Sequence, residues 1–214
     1  ITDLRTCERP AFIIGGGVKN AAADDLVLDL ARKLNVPCFP TWNALDIICS
    51  DFELYGGRIG TYGGAGRNFG IQNTDLVLSI GSRISGRITG GAPSTFLRGA
   101  KKYMVDVDKP GLQKNLQQLP FDVCILSDAK IFCQMALQEV DVDIKKNGAL
   151  PNFHNWVNKV MSWKTKYDPV TTKMFEPAEF VHPYAFARIL SEELSSRDIL
   201  VGDCGGNIVV LNHA

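Results

Sequence analysis

The sequence has no excess of charge of either sign, with 23 Lys and Arg against 23 Asp and Glu in 214 residues. That balance gives nothing to draw the chain to nucleic acid or to an acidic membrane. No apolar run approaches the ~20 residues of a membrane span. Histidine is scarce, and His154, His182 and His213 all lie outside the glycine-rich stretches, where they read as surface or packing residues. HExxH, GxSxG and P-loop patterns are absent, which removes the commonest metal, serine-nucleophile and phosphate signatures. The six cysteines, at 7, 38, 49, 124, 133 and 204, contain no CxxC pair and have no histidine at zinc-motif spacing. They are expected to be reduced and structural, in a cytoplasmic compartment. Neither an initiator Met nor a charged-then-apolar leader opens the chain at Ile1-Thr2-Asp3, which reads as the inside of a longer protein or as a trimmed one.

What the chain does have is ordinary globular composition, 45% hydrophobic and 21% charged. The length suits about one and a half domains. Ala11–Ile14 is a short apolar run closed by Gly15-Gly16-Gly17, and residues 20–34 carry leucines at roughly helical spacing before a second apolar run at 36–40. That is the strand, turn, helix, strand pattern of a parallel sheet. Residues 75–81, 101–107 and 121–126 are further continuous apolar runs, as strands buried on both faces require. A helix is expected over 130–140, with a polar break after it, and an amphipathic helix over 152–167. Residues 167–181 read as a linker. Pro183 then opens a helix, 199–201 is expected to be a strand, and 202–207 a turn. The expected architecture is α/β, a doubly wound parallel sheet of Rossmann-like type, followed by the truncated start of a second α/β domain. The boundaries are 1–145 for the sheet domain, 146–182 for helix and linker, and 183–214 for the second start.

Four loops could carry chemistry. Gly15-Gly16-Gly17 follows a strand and precedes a helix, where bare backbone and helix amides suit a phosphate; a tight turn with no ligand is the alternative. The stretch 56–66 holds Gly60, Thr61 and Tyr62 among many glycines and could lie along an extended ligand, or be a plain surface loop. Gly81-Ser82-Arg83 and Arg87-Ile88 follow a buried-type strand, so two arginines stand at the carboxyl edge, where open sheets bind ligands. Asp106-Val107 ends another strand, and an acid there could accept from ribose or adenine; Asp108 could equally cap a helix. Together these loops suit an extended ligand such as a dinucleotide.

The order of these motifs resembles the central domain of thiamine-diphosphate-dependent enzymes, nearest to the acetolactate synthase (acetohydroxyacid synthase) branch. The likeness is carried by Arg9-Pro10, Ile13 to Gly17, Ala21, Pro37 to Thr41, Gly60 to Gly63, Asn73 to Leu78, Gly81 to Arg83 and Arg87 to Gly90. Residues 105–108 and Ser127-Asp128-Ala129 match two further loops. Pro183 through Gly205-Gly206-Asn207 resembles the start of the diphosphate-binding domain, in which the last three would touch the cofactor's diphosphate. Cys204, Gly206 and Asn207 depart from the branch pattern there, as Ser85 and Gly86 do in the arginine loop.

The resemblance implies a carboligase or decarboxylase acting on a 2-keto acid such as pyruvate, with thiamine diphosphate and Mg2+ in the complete enzyme. It implies a homodimer or homotetramer, with no nucleic acid and no membrane partner. This segment would be scaffold and a site for FAD, ADP or nothing, inactive by itself, with no catalytic residue and no metal ligand of its own. Two other readings stay open. One is a stand-alone nucleotide-binding domain without catalysis. The other is a sirtuin-like deacylase, against which the missing CxxC zinc ligands count.

Overall fold

The computed structural model describes residues 1–195 and 197–214, with the backbone alone at 114–118. Strands β1 (Pro10–Ile14), β2 (Cys38–Pro40), β3 (Leu76–Ile80), β4 (Lys101–Asp106) and β5 (Val123–Leu126) form one sheet in the order β2-β1-β3-β4-β5. Every pairing is parallel. The helices are α1 (Gly17–Asn20), α2 (Asp24–Leu34), α3 (Ala65–Gln72), α4 (Gly86–Thr89), α5 (Lys109–Gln118), α6 (Ala129–Asn147), α7 (His154–Lys166), α8 (Pro183–Glu193) and α9 (Gly206–His213). The expected doubly wound parallel sheet is therefore present. The order in which strands are added reverses between β1 and β3, so those strands' carboxyl ends flank a topological switch point.

The two faces of the sheet explain the continuous apolar runs. Phe12 and Ile14 point to one layer, where they meet Val27, Leu30 and Leu34 of α2 and Cys133 and Val140 of α6. Ala11 and Ile13 point to the other, with Phe39, Val77, Met104, Ile71 of α3 and Trp156 and Val160 of α7. A strand with helices on both sides has no solvent face, so alternation disappears from its sequence. The indole of Trp156 also donates to the Pro10 carbonyl at 2.9 Å, tying α7 to the first strand.

Three expectations need correction. The helix expected over 20–34 is two helices, broken at Ala21–Ala23, where Ala22 takes a left-handed φ of 48°. The helix expected to end at Val140 continues to Asn147 and stops at Gly148, whose φ is 81°. Its polar end is held by ion pairs of Asp143 with Arg5 and Asp141 with Lys33, both at 2.5 Å. Polar composition there reflects a solvated helix face and not a break. Residues 199–201 are not a strand, and Ile199 and Val201 are 89% and 86% exposed. Among the described residues no strand lies alongside to pair with them. Helix α3 escapes the sequence reading altogether because Gly66 and Gly70 disguise it as loop.

All six cysteines are free, and burial pushes the Cys133 thiol up to about 12. No helix among the described residues is long and apolar enough to cross a membrane.

Candidate functional site

The triple glycine serves contacts within the protein first. Gly15 donates to the Ile80 carbonyl at 2.9 Å and Gly17 to the Gly81 carbonyl at 3.0 Å, extending the β1–β3 ladder past both strands. A Cβ on Gly15 would be driven into the Gly81 carbonyl, and one on Gly17 would stand 2.8 Å from the Gly81 Cα. Gly81 itself needs its left-handed φ of 62°. Glycine is required here because two backbone turns interlock at the switch point.

Interlocking leaves a cleft of about 260 Å³ at the carboxyl edge. Gly17, Gly81, Asp106, Val107, Asp128 and Ala129 line it, with Asn20, Ala21, Val105 and Ser127. Six of the residues singled out from sequence are thus brought together from the ends of β1, β3, β4 and β5. Asp106 accepts from the Asp108 amide at 2.9 Å, which folds the post-β4 turn back on itself. Asp128 caps α6, its Oδ1 accepting from the amides of Lys130 at 2.8 Å and Ile131 at 3.3 Å. Both carboxylates are held in place by these bonds. Val107, 66% exposed, gives the rim an uncovered apolar surface. Sequence reasoning missed Asn20, which places an amide on the wall. Its only signal is its position at the end of the turn of helix that the glycines start.

A second cavity of about 500 Å³ is lined by Arg83, Ser85, Gly86, Thr89, Asp108 and Pro110, among others. Here the cation of the post-β3 loop and the second acid of the post-β4 loop share a wall. Asp108 also supplies the carbonyl that accepts from Leu112 at the start of α5.

The remaining singled-out residues divide into two other places. Thr41, Gly60, Thr61, Tyr62, Arg87 and Ile88 form a cluster beside β2. The Thr41 amide donates to Ile14 at 2.8 Å, and the Thr61 amide to the Arg87 carbonyl at 2.8 Å. Gly60, at φ 109°, lies against that same Arg87 carbonyl, and the Asn68 amide exchanges two 2.9 Å bonds with the Gly60 backbone. Arg87 lies 5.4 Å from the centre of the Trp42 ring, which in turn meets Tyr62 at 5.7 Å. Ile88 is core, and Ser82 is buried behind its loop. Arg83 and Arg87 therefore stand on different walls. The glycines of 56–70 also pack internally, Gly56 and Gly70 on the Phe39 ring and Gly66 on the α7 backbone. Gly205, Gly206 and Asn207 sit at the exposed start of α9 and line none of these cavities. Among the described residues, no three His, Cys, Asp or Glu side chains are grouped to hold a metal.

Residues 1–136 match the family model of the thiamine pyrophosphate enzyme central domain. The chain is 32% identical over 171 residues to a probable acetolactate synthase large subunit of Methanococcus aeolicus, covering 78% of this chain and 28% of that protein. It is 32% identical over 181 residues to a glyoxylate carboligase of Escherichia coli O157:H7, covering 79% of this chain and 29% of the relative. Over 206 residues, 96% of this chain, it is 26% identical to an acetolactate synthase large subunit of Lactococcus lactis, covering 33% of that protein. The chain thus spans a third or less of the length of these curated relatives.

Proposed function

Since the chain belongs to the thiamine pyrophosphate enzyme family, carrying its central domain, we propose that it serves a carboligase or decarboxylase of the acetolactate synthase kind. The substrate would be a small 2-keto acid, and the whole enzyme a homodimer or homotetramer. Six free thiols suit a reducing compartment such as the cytoplasm. Thiamine diphosphate, when bound, supplies the carbon nucleophile that such chemistry needs. The exposed Gly205–Asn207 backbone is open to part of a diphosphate. In this reading the magnesium site and the activating carboxylate belong to the complete enzyme's other domains, and this chain acts as scaffold.

The role of these residues themselves is to hold a nucleotide at the carboxyl edge, FAD first and ADP second. One observation supports this: turns from β1, β3, β4 and β5 meet around one cleft that presents Asp106 and Asp128 beside bare glycine backbone. The two acids would accept from ribose hydroxyls or the adenine amine. Arg83, on the neighbouring wall, would donate to a pyrophosphate. A stand-alone nucleotide-binding domain would use the same cleft, and the sequence or mass of the intact polypeptide separates the two readings.

The test is flavin absorbance of the purified protein, followed by titration with FAD and ADP. Binding at tens of micromolar or tighter, weakened in Asp106→Asn and Arg83→Ala, is expected. If neither ligand binds and Arg83→Ala melts as the parent does with either present, the nucleotide reading fails while family membership stands.

A further inference from the structure

A cavity of about 460 Å³ lies between α3, α7, α8 and α9. It shares no lining residue with the carboxyl-edge cavities. Four cations reach it: Arg58 from the glycine-rich loop, Arg67 from α3, Lys164 from α7 and Arg188 from α8. Asp168 is the one acidic side chain on its wall, and it is paired with Arg188, both oxygens accepting at 3.1 Å.

The other three cations form no ion pair among the described residues, although the Asp168 charge also acts on Arg67. Arg67 is only 7% exposed, and it donates to the His213 carbonyl at 2.9 Å while its Nε has no acceptor. The Nε of Arg58 is likewise buried without an acceptor. Lys164 donates to the Tyr55 carbonyl at 2.9 Å and lies 5.0 Å from the centre of the Tyr55 ring. Burial lowers the pKa of Arg67, with the Arg58 charge next in effect; burial likewise lowers that of Lys164, followed by the Arg67 charge. Arg67 thus stands within repelling reach of both Arg58 and Lys164. Buried guanidinium groups stay charged, and desolvated like charges with open donors are unfavourable unless something negative completes them.

We propose that this cavity is a binding site for a small oxyanion of the phosphate class. Donors from a loop and two helices line this one cavity, which suits a compact ion with several acceptor oxygens. The Arg67 and Arg58 forks would donate to its oxygens and Lys164 would add a third positive charge.

The experiment is calorimetric titration of the full chain with inorganic phosphate, with succinate and sodium chloride at matched ionic strength as comparisons. Phosphate should bind at millimolar concentration or tighter, and more tightly than succinate. Arg58→Gln should weaken it by at least about tenfold, the scale of a lost charge-assisted hydrogen bond. Asp168→Asn should tighten it several-fold, a gain that a damaged fold would not give. ADP titration at the carboxyl edge should be unchanged in Arg58→Gln. Heats no larger than those of chloride, succinate binding better than phosphate, or Asp168→Asn without effect would each overturn the assignment.

Discussion

The sheet domain and the segment after Tyr167 treat their apolar residues differently. In the first, Ile13, Ile14, Phe39, Ile80 and Val105 are completely buried between helices on both faces. In the second, Phe180 and Val181 are 79% and 74% exposed, and 199–201 is bare. The second region is tied within itself by Arg188 to Asp168 and by the Tyr184 hydroxyl to His213 Nδ1 at 2.6 Å, and to the sheet domain by Arg67, which donates to the His213 carbonyl. Burial of apolar area is the large favourable term in folding, whereas exposed polar pairs add little. One region therefore carries the stability, and the other is attached to it.

The largest test of that division is Phe39→Ala. Its ring fills the space under Gly56 and Gly70 and is fully buried, so truncation should cost about 3–5 kcal/mol in a urea melt. A cost below about 1 kcal/mol would mean that the sheet core is not where the stability resides.

Next is limited proteolysis. Cutting should begin between Tyr167 and Val181, where Phe175, Phe180 and Val181 are exposed, and leave 1–166 intact. Equal protection across both regions would erase the contrast.

The sheet, its parallel order and the loops at its carboxyl edge are all legible in the sequence, because continuous apolar runs and glycine punctuation arise directly from burial on two faces and tight turns. What glycine cannot reveal is its partner. Gly15, Gly17 and Gly66 look like room for a ligand, yet the room is taken by the Gly81 turn and by α7. Nor can composition tell a solvated helix face from a break, which is why 141–147 reads as the end of α6. The buried cations were hidden for a related reason, since Arg67 lies in a helix whose glycines mimic a loop. The isolated apolar triplet 199–201 has strand propensity, but a strand exists only with a neighbour.

A smaller effect is expected from Arg188→Ala. The Arg188–Asp168 pair is about a third exposed at both ends, so its loss should cost no more than about 1 kcal/mol. The change should appear as faster cleavage after Tyr167, with the urea midpoint of the sheet domain unmoved. A shifted midpoint would show that α8 is part of the main cooperative unit.

Acid should separate the two regions with the smallest perturbation. Burial, then the charges of Arg67 and Arg58, hold the His213 pKa below the ordinary histidine value, opposed only by Asp168. The ring shares a hydrogen bond with the Tyr184 hydroxyl through Nδ1, and its Nε2 is buried. Between the lowered value and about 6.5, the undocked chain binds more protons than the docked one, so docking strengthens as pH rises through that window and weakens as pH falls. In the sheet domain the relevant carboxyls are held below their usual range, Asp143 chiefly by the Arg5 hydrogen bond and Asp3 by Tyr103 and then Lys101. Their contribution is present above the ordinary carboxylate range and is lost only as pH falls through those lowered values. Cleavage after Tyr167 should therefore quicken between pH 7 and 5.5, measured with a protease of known pH profile, while the sheet domain's urea midpoint changes little. His213→Gln should flatten the cleavage profile. A profile that stays steep in that variant would assign the acid sensitivity to another group and leave His213 a packing residue.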